Sequence, residues 1–163
     1  MRILLAATAT LMLCSVALAD DESDKLPGVW KMTSWTRHDT ATGRDSQLFG
    51  EHPSGYLVHT KGGHFVWTGF KDQRPTPAAA EPTDAERIAL FKTMYAYNGT
   101  YQVQGSKIVD NVTGAWNEAW VGTKFYIDKY AVAGNMLTMV SAPFKATADG
   151  VDMVVTTTFE RVE

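Results

Sequence analysis

The fold is decided by a stretch in the first half of the chain, residues 56–70, which read YLVHTKGGHFVWTGF. Two runs rich in β-branched and aromatic residues flank Gly62-Gly63, and such a glycine pair supplies the positive φ angles of a tight hairpin turn. A two-residue turn there pairs Thr60 with Phe65 and Val58 with Trp67. We therefore predict an antiparallel hairpin at this point of the chain.

The predicted register gives this hairpin two unlike faces, because side chains alternate across a sheet. The more apolar face, predicted to point inward, carries Tyr56, Val58, Thr60, Phe65 and Trp67. The face predicted to point outward carries Leu57, His59, Lys61, His64, Val66 and Thr68. A shift of the turn by one residue would change these pairings.

Similar patterns recur on both sides of the hairpin. Further strands are predicted over 29–37, 100–104, 107–113, 124–131, 136–142 and 151–161. Between them, a proline-rich connector over 71–82 leads to Thr83 and Glu86, whose spacing predicts a capping box and an amphipathic helix over 83–96. About eight strands with one inserted α-helix predict an all-β fold, an antiparallel β-barrel.

The first residues predict export. Arg2 precedes an apolar run over 3–16, and Ala17-Leu18-Ala19 has the small-residue pattern of a cleavage site. We predict a signal peptide over 1–19 and one mature domain over 20–163, located in the periplasm or secreted. The apolar run is short for a membrane anchor, which is the alternative.

Composition limits what the mature domain can do. Cys14 leaves with the signal peptide, so no disulfide or thiol nucleophile remains; a lipoprotein modified on Cys14 is an alternative, although Leu13 stands where its processing needs a small residue. The 14 basic and 18 acidic residues of the mature domain give a net charge of −4 without a basic cluster. This balance argues against nucleic acid and anionic lipid as partners, and no later segment reaches transmembrane length.

Several short motifs follow one another along the mature chain. They are LPGVWK at 26–31, PSGYL at 53–57, YAYNGTY at 95–101, WVGT at 120–123 and FER at 159–161. Their order and spacing resemble the lipocalin-like domain of bacteria and fungi. The resemblance implies a lipocalin-type barrel whose interior takes a small apolar molecule. Members of that family often carry a histidine near 107–111; this chain does not, so no role of that histidine carries over.

The resemblance also assigns a structural motif at the two chain ends. In lipocalins the tryptophan of a Gly-x-Trp motif lies at the closed end of the barrel, with a basic residue from the chain end over it. Gly28, Trp30 and Arg161 match these positions. A guanidinium stacked on an indole stabilises a protein by about 0.5 to 2 kcal/mol, which suits a structural lock.

Candidate catalytic groups are few. The sequence has no Gly-x-Ser-x-Gly motif, and its four histidines lack zinc-ligand spacing, so we predict no metal site and no cofactor. Asp110 and Glu118 are the carboxylates to check for acid–base chemistry. Asp110 alternates with Ile108 and Val112, which would allow it to point inward, but a place at a turn or rim is the favoured interpretation.

Large aromatic side chains are the more informative signal, because core packing explains most of them but several together can line a ligand cavity. The predicted ligand contacts are Tyr56, Phe65, Trp67, Tyr101 and Phe125. We predict an exported protein that binds a small apolar or amphipathic molecule inside its barrel, and favour this over an enzyme. Two alternatives remain open. One is an isomerase, cyclase or hydrolase acting on an apolar substrate within the barrel, and the other is a filled barrel that serves as a structural or interaction module.

Overall fold

The described part of the chain consists mostly of β-strands. The computed structural model describes residues 22–146 and 149–163, so the predicted signal peptide lies outside the described residues. Strands β1 to β10 are Gly28–Asp39, Asp45–Gln47, Ser54–His59, His64–Phe70, Met94–Gln104, Lys107–Ala115, Lys124–Ala133, Met136–Ser141, Phe144–Lys145 and Asp152–Arg161. Helix α1 spans Asp84–Phe91, and short 3-10 helices span Glu22–Lys25 and Glu118–Trp120.

Eight of the described strands close into an antiparallel barrel. Strands β1, β3 to β8 and β10 pair in chain order, and β10 returns to pair with β1 from Trp30 opposite Arg161 to Asp39 opposite Met153. The short strands β2 and β9 pair only with β1 and β10 respectively. The predicted all-β antiparallel barrel of about eight strands is confirmed.

The hairpin of β3 and β4 has a different register from the predicted one. His59 lies opposite Phe65, and the Thr60 N–H donates to the His64 carbonyl at 2.9 Å. The turn therefore holds three residues, 61–63, with Gly63 at φ +77°. A type I turn closed by a glycine in the left-handed region is the usual form of a three-residue hairpin loop.

The extra turn residue exchanges the two faces of β3. Leu57 and His59 are buried, whereas Tyr56 is 47% exposed. The predicted inward placement of Tyr56 and outward placement of His59 are therefore wrong, as are the placements of their neighbours on β3. The inward placement of Phe65 and Trp67 on β4 is confirmed by their burial.

Helix α1 begins as predicted and ends earlier. The Thr83 hydroxyl accepts from the Glu86 N–H at 3.4 Å while the Glu86 carboxylate accepts from the Thr83 N–H at 2.8 Å, which confirms the capping box. The helix stops at Phe91 rather than 96, because Tyr95 belongs to β5 and its ring fills the space that the missing side chain of Gly69 leaves open. Across the two described ranges, no helix combines the length and apolar character that a bilayer crossing requires.

The chain ends form a lock at one end of the barrel. Trp30 is fully buried and donates its indole N–H to the Leu26 carbonyl at 2.9 Å. The Arg161 guanidinium carbon lies 4.0 Å from the centroid of the Trp30 ring, and this guanidinium donates to the Pro27 carbonyl at 2.9 Å. Gly28, at φ +152°, is required here because a Cβ would overlap the guanidinium. The three residues of the predicted structural motif thus meet at this end of the barrel.

The two ends of the barrel differ in their connections. The end that carries the lock also holds the short turns at 60–63, 105–106 and 134–135. The opposite end holds the longer connections over 40–53, 71–93, 116–123 and 142–151. We call these the closed end and the open end.

Candidate functional site

A cavity of about 340 Å³ lies at the open end of the barrel. Its aromatic lining residues are Trp35, Trp67, Tyr95, Tyr97, Trp120, Phe125, Tyr126 and Phe144. Its other lining residues are Lys124, Ile127, Met139, Ser141, Ala142, Pro143, Val155 and Thr157. The volume falls within the roughly 300 to 1,000 Å³ of small-molecule sites, which are lined in this way by apolar and aromatic side chains.

Tyr97 is the centre of the aromatic wall. Its ring centroid lies 5.6 Å from that of Trp67, 5.5 Å from that of Trp120 and 5.4 Å from that of Phe125. The last two contacts are edge-to-face, an arrangement worth about 0.5 to 1.5 kcal/mol beyond the burial of each ring. Each ring thus holds its neighbours in place, which keeps the wall formed in the absence of a ligand.

Helix α1 connects to this wall through Trp116. The Phe91 ring centroid lies 5.8 Å from that of Trp116, which lies 4.5 Å from that of Trp120. Phe91 and Ile88 are 46% and 55% exposed. The helix therefore contributes an apolar surface beside the cavity rather than a buried layer of the core.

Asp110, on β6, is fully buried among aromatic residues beside this wall. Its Cα is paired with Tyr101 on β5 and with Phe125 on β7. Neither carboxyl oxygen has a hydrogen-bond partner among the described residues. Burial raises the pKa of Asp110 to about 7, because the charged form loses its hydration. The favoured placement of Asp110 at a turn or rim is therefore wrong, and the alternative, an inward orientation, is what the structure has.

The charge of Asp110 acts on the cavity wall. Burial raises the pKa of Tyr97 well above its usual value, and the Asp110 carboxylate raises it further. Phe125, the β7 partner of Asp110, is in edge-to-face contact with Tyr97, so Asp110 lies beside residues that line the cavity. Asp110 itself stands behind the lining, next to Tyr97 and Phe125.

His59 is the second buried group of this kind, and only 2% of it is exposed. Its ring centroid lies 4.4 Å from that of Tyr101, and neither of its nitrogens has a hydrogen-bond partner among the described residues. Burial lowers the pKa of His59 to about 3, so the ring is neutral at physiological pH. The Tyr101 hydroxyl, in contrast, donates to the Thr60 carbonyl at 2.8 Å.

The predicted ligand contacts are only partly brought together. Trp67 and Phe125 line the cavity. Phe65 and Tyr101 are buried in the core on the closed-end side of it and do not line it. Tyr56 lies on the outer face of β3, so its predicted place inside the barrel is wrong. The cause is the three-residue turn, which inverts the face of that strand.

The two candidate carboxylates lie in different surroundings. Asp110 is buried in the barrel wall, while Glu118 is exposed in the 3-10 helix Glu118–Trp120. No hydrogen bond joins them, because the Asp110 oxygens are without partners in the described structure. Within 22–146 and 149–163, no group of three or more histidine, cysteine, aspartate or glutamate residues is arranged to hold a metal ion.

Some lining residues were not singled out from the sequence. Val155 and Thr157 lie on one face of the strand predicted over 151–161, so alternation alone could have found them. Lys124, Ser141 and Ala142 carry no such signal, because they lie at strand ends and in a connection whose course only the closed barrel determines.

A comparison with protein families identifies the domain. The sequence model of the lipocalin-like domain matches residues 27–162. The matched region begins beside the lock at Gly28 and Trp30 and ends just beyond Arg161, so it includes the whole barrel. A search of curated proteins finds none that matches this chain.

Proposed function

This chain belongs to the lipocalin-like domain family, and on that premise we propose that it binds a small apolar or amphipathic molecule in the cavity at the open end. The observation that carries the proposal is the aromatic lining of a cavity of about 340 Å³. A cavity of this size supports the binding proposal over the filled barrel, the structural module weighed above. Burial of apolar ligand surface provides the driving force, at roughly 25 cal/mol per Å².

Most of the surface that lines the cavity is apolar. Among the described lining residues Lys124 alone carries a charge, and it is exposed. The Ser141 hydroxyl already accepts a hydrogen bond from the Val155 N–H at 2.9 Å. Such a lining favours a ligand with a large apolar body over a sugar or a nucleotide, whose many polar groups would lose their hydration without compensation.

A fluorescence titration tests the proposal. The probe is N-phenyl-1-naphthylamine, a neutral apolar dye whose emission rises on leaving water. Val155→Phe fills the cavity and should weaken dye binding at least tenfold, whereas Val66→Phe adds the same ring on the outer face of β4, where Val66 is 49% exposed, and should not. Ala142→Phe, in the connection at the cavity mouth, serves as a second filling variant.

Circular dichroism shows whether each variant is folded before its binding is compared. The proposal fails if wild type does not bind the dye, or if both filling variants are folded and bind it as tightly as wild type does.

Export is part of the proposal and rests on residues 1–19. The signal peptide predicted there would deliver the barrel across the inner membrane, so the protein would meet its ligand outside the cytoplasm. Mass spectrometry of protein recovered from periplasm and medium should give a mass that lacks these residues. Full-length protein confined to the cytosol would contradict export without affecting the binding proposal.

A second candidate function, acid–base catalysis inside the barrel, is favoured by one observation. Asp110 has a pKa of about 7 and lies close to the cavity wall, as a general acid or base for an apolar substrate would. If a ligand recovered from the protein after long incubation is chemically unchanged, binding alone accounts for the site.

A further inference from the structure

Asp110 is a buried carboxyl group that binding of a purely apolar ligand leaves unused. It is fully buried, and both of its oxygens are without partners among the described residues. Buried polar atoms in native proteins are nearly always hydrogen-bonded, so an unpartnered pair of oxygens needs an explanation. A site for a polar group of the ligand provides one.

The surroundings of Asp110 are apolar and aromatic. Tyr101 and Phe125 flank it on the two neighbouring strands, and Tyr97 is close enough to be affected by its charge. None of the ion pairs in the described structure includes Asp110. The carboxyl therefore has aromatic rings around it and no cation beside it.

This combination selects for a cation. An ammonium group donates hydrogen bonds that both carboxylate oxygens can accept, and charge-assisted bonds of this kind are the strong ones. Aromatic ring faces attract cations as well. A ligand carboxylate would be repelled by Asp110, and a hydroxyl would bind it with a weaker, neutral hydrogen bond.

We propose that Asp110 binds the ammonium group of an amphipathic amine whose apolar body fills the cavity, an inference that rests on the function proposed above. The ammonium group enters between Tyr97 and Phe125, the lining residues next to Asp110. Phe125 is only partly buried, and its edge-to-face contact with Tyr97 has to open to admit the group.

The proposal predicts a particular pH dependence. On β5, Tyr97 and Tyr101 have raised pKa values and stay neutral, and His59 on β3, with a pKa of about 3, is also neutral. From β7, Lys124 contributes an exposed positive charge at the cavity mouth. Among these groups of the described structure, Asp110 is thus the one that changes charge near pH 7. Since an ammonium binds the ionised form, affinity should fall about tenfold per pH unit below 7.

Three compounds with one apolar body test the inference by isothermal titration calorimetry. They are the amine 2-(1-naphthyl)ethylamine, the alcohol 2-(1-naphthyl)ethanol and the carboxylate 1-naphthaleneacetate. At pH 8 the amine should bind wild type at least tenfold more tightly than the alcohol. In Asp110→Asn this ratio should fall to about one, whereas Glu118→Gln, which removes an exposed carboxylate, should keep it. The pH profile of the wild-type protein needs no variant and decides the matter if Asp110→Asn does not fold.

The inference is overturned if amine and alcohol bind wild type equally, or if Asp110→Asn keeps the preference for the amine. It is also overturned if the carboxylate binds most tightly, which would assign recognition to Lys124, or if the neutral dye binds but none of the three compounds does. In each of these cases the proposed function stands. If neither the dye nor the three compounds bind, the proposed function itself fails.

Discussion

Asp110→Asn should uncover a pH dependence of folding stability that the wild-type protein hides. The folded pKa of Asp110 is raised from 3.8 to about 7, so between these values the folded protein holds a proton that the unfolded chain has released. Stability then falls as pH rises, by about 1.4 kcal/mol per unit and by about 4 kcal/mol in all.

His59 has the opposite effect. Its folded pKa is lowered from 6.5 to about 3, so below pH 6.5 the unfolded chain binds a proton that the folded protein excludes. Stability then rises with pH by the same amount per unit. Between about pH 4 and 6.5 the contributions of His59 and Asp110 cancel, so the stability of the wild-type protein shows neither of these two pH dependences.

The variant separates the two contributions. Asparagine and a protonated aspartate are both neutral and of similar size, so Asp110→Asn should match wild type near pH 4. It should then gain about 1.4 kcal/mol per unit until it exceeds wild type by about 4 kcal/mol at pH 8. His59→Gln should do the reverse and lose stability as pH rises from 4 to 7.

Urea denaturation followed by tryptophan fluorescence, at half-unit steps from pH 4 to 8, measures these stabilities. Glu118→Gln removes the same charge from an exposed side chain and controls for the change in net charge. A constant difference between Asp110→Asn and wild type across this pH range would refute the reasoning, because it would mean that folding does not change the proton affinity of Asp110.

Three other substitutions test the fold. Gly99→Ala places a Cβ against the Asn111 carbonyl oxygen and should lower the free energy of unfolding, measured in urea, by about 3 kcal/mol. The control is Gly62→Ala, whose nearest atoms lie 3.9 Å away and whose stability should change little. Equal losses of stability in the two variants would contradict this. Arg161→Lys loses the flat stacking on the Trp30 indole and should lower the free energy of unfolding by about 1 kcal/mol, with a changed near-ultraviolet circular dichroism spectrum. If both the stability and the spectrum stay unchanged, the stacking does not contribute to stability. Thr83→Ala removes a helix cap worth about 1 kcal/mol, so hydrogen exchange should accelerate about fivefold in α1 only; equal acceleration in the strands would contradict a local effect.

The barrel was predictable because each strand must present an apolar inner face. Met153, Val155, Thr157 and Phe159 alternate along the last strand, and all four are buried in the structure. Such a pattern depends only on the strand itself, so it survives without knowledge of the neighbours.

The register of the first hairpin was not predictable in this way. The segment TKGGH accommodates a turn of two or three residues, and both keep apolar residues on β4 facing inward. The two turn lengths are distinguished by the pairing of β3 with β1, in which Gly28 lies opposite His59. That contact comes from another part of the chain. A difference of one residue in the length of the turn was enough to misplace Tyr56 and His59.

The site was predictable in kind and only partly in detail. Trp67 and Phe125 were found because they are aromatic residues on strands of the barrel. Alternation offered an inward Asp110, but whether it has a partner depends on residues of β5 and β7 that no local pattern brings together. Likewise, Tyr95 fits the spacing of the predicted helix. The space over Gly69 that its ring fills in β5 exists only in the assembled sheet.

The lock between Trp30 and Arg161 joins the first and last strands of the barrel. A chain cut short before β10 would therefore not be a smaller barrel. It would be an open sheet whose β1 and β8 present unpaired backbone groups to other molecules, and such edges recruit further strands and aggregate. Loss of this strand, by proteolysis or incomplete synthesis, should thus lead to aggregation rather than leave a smaller folded barrel.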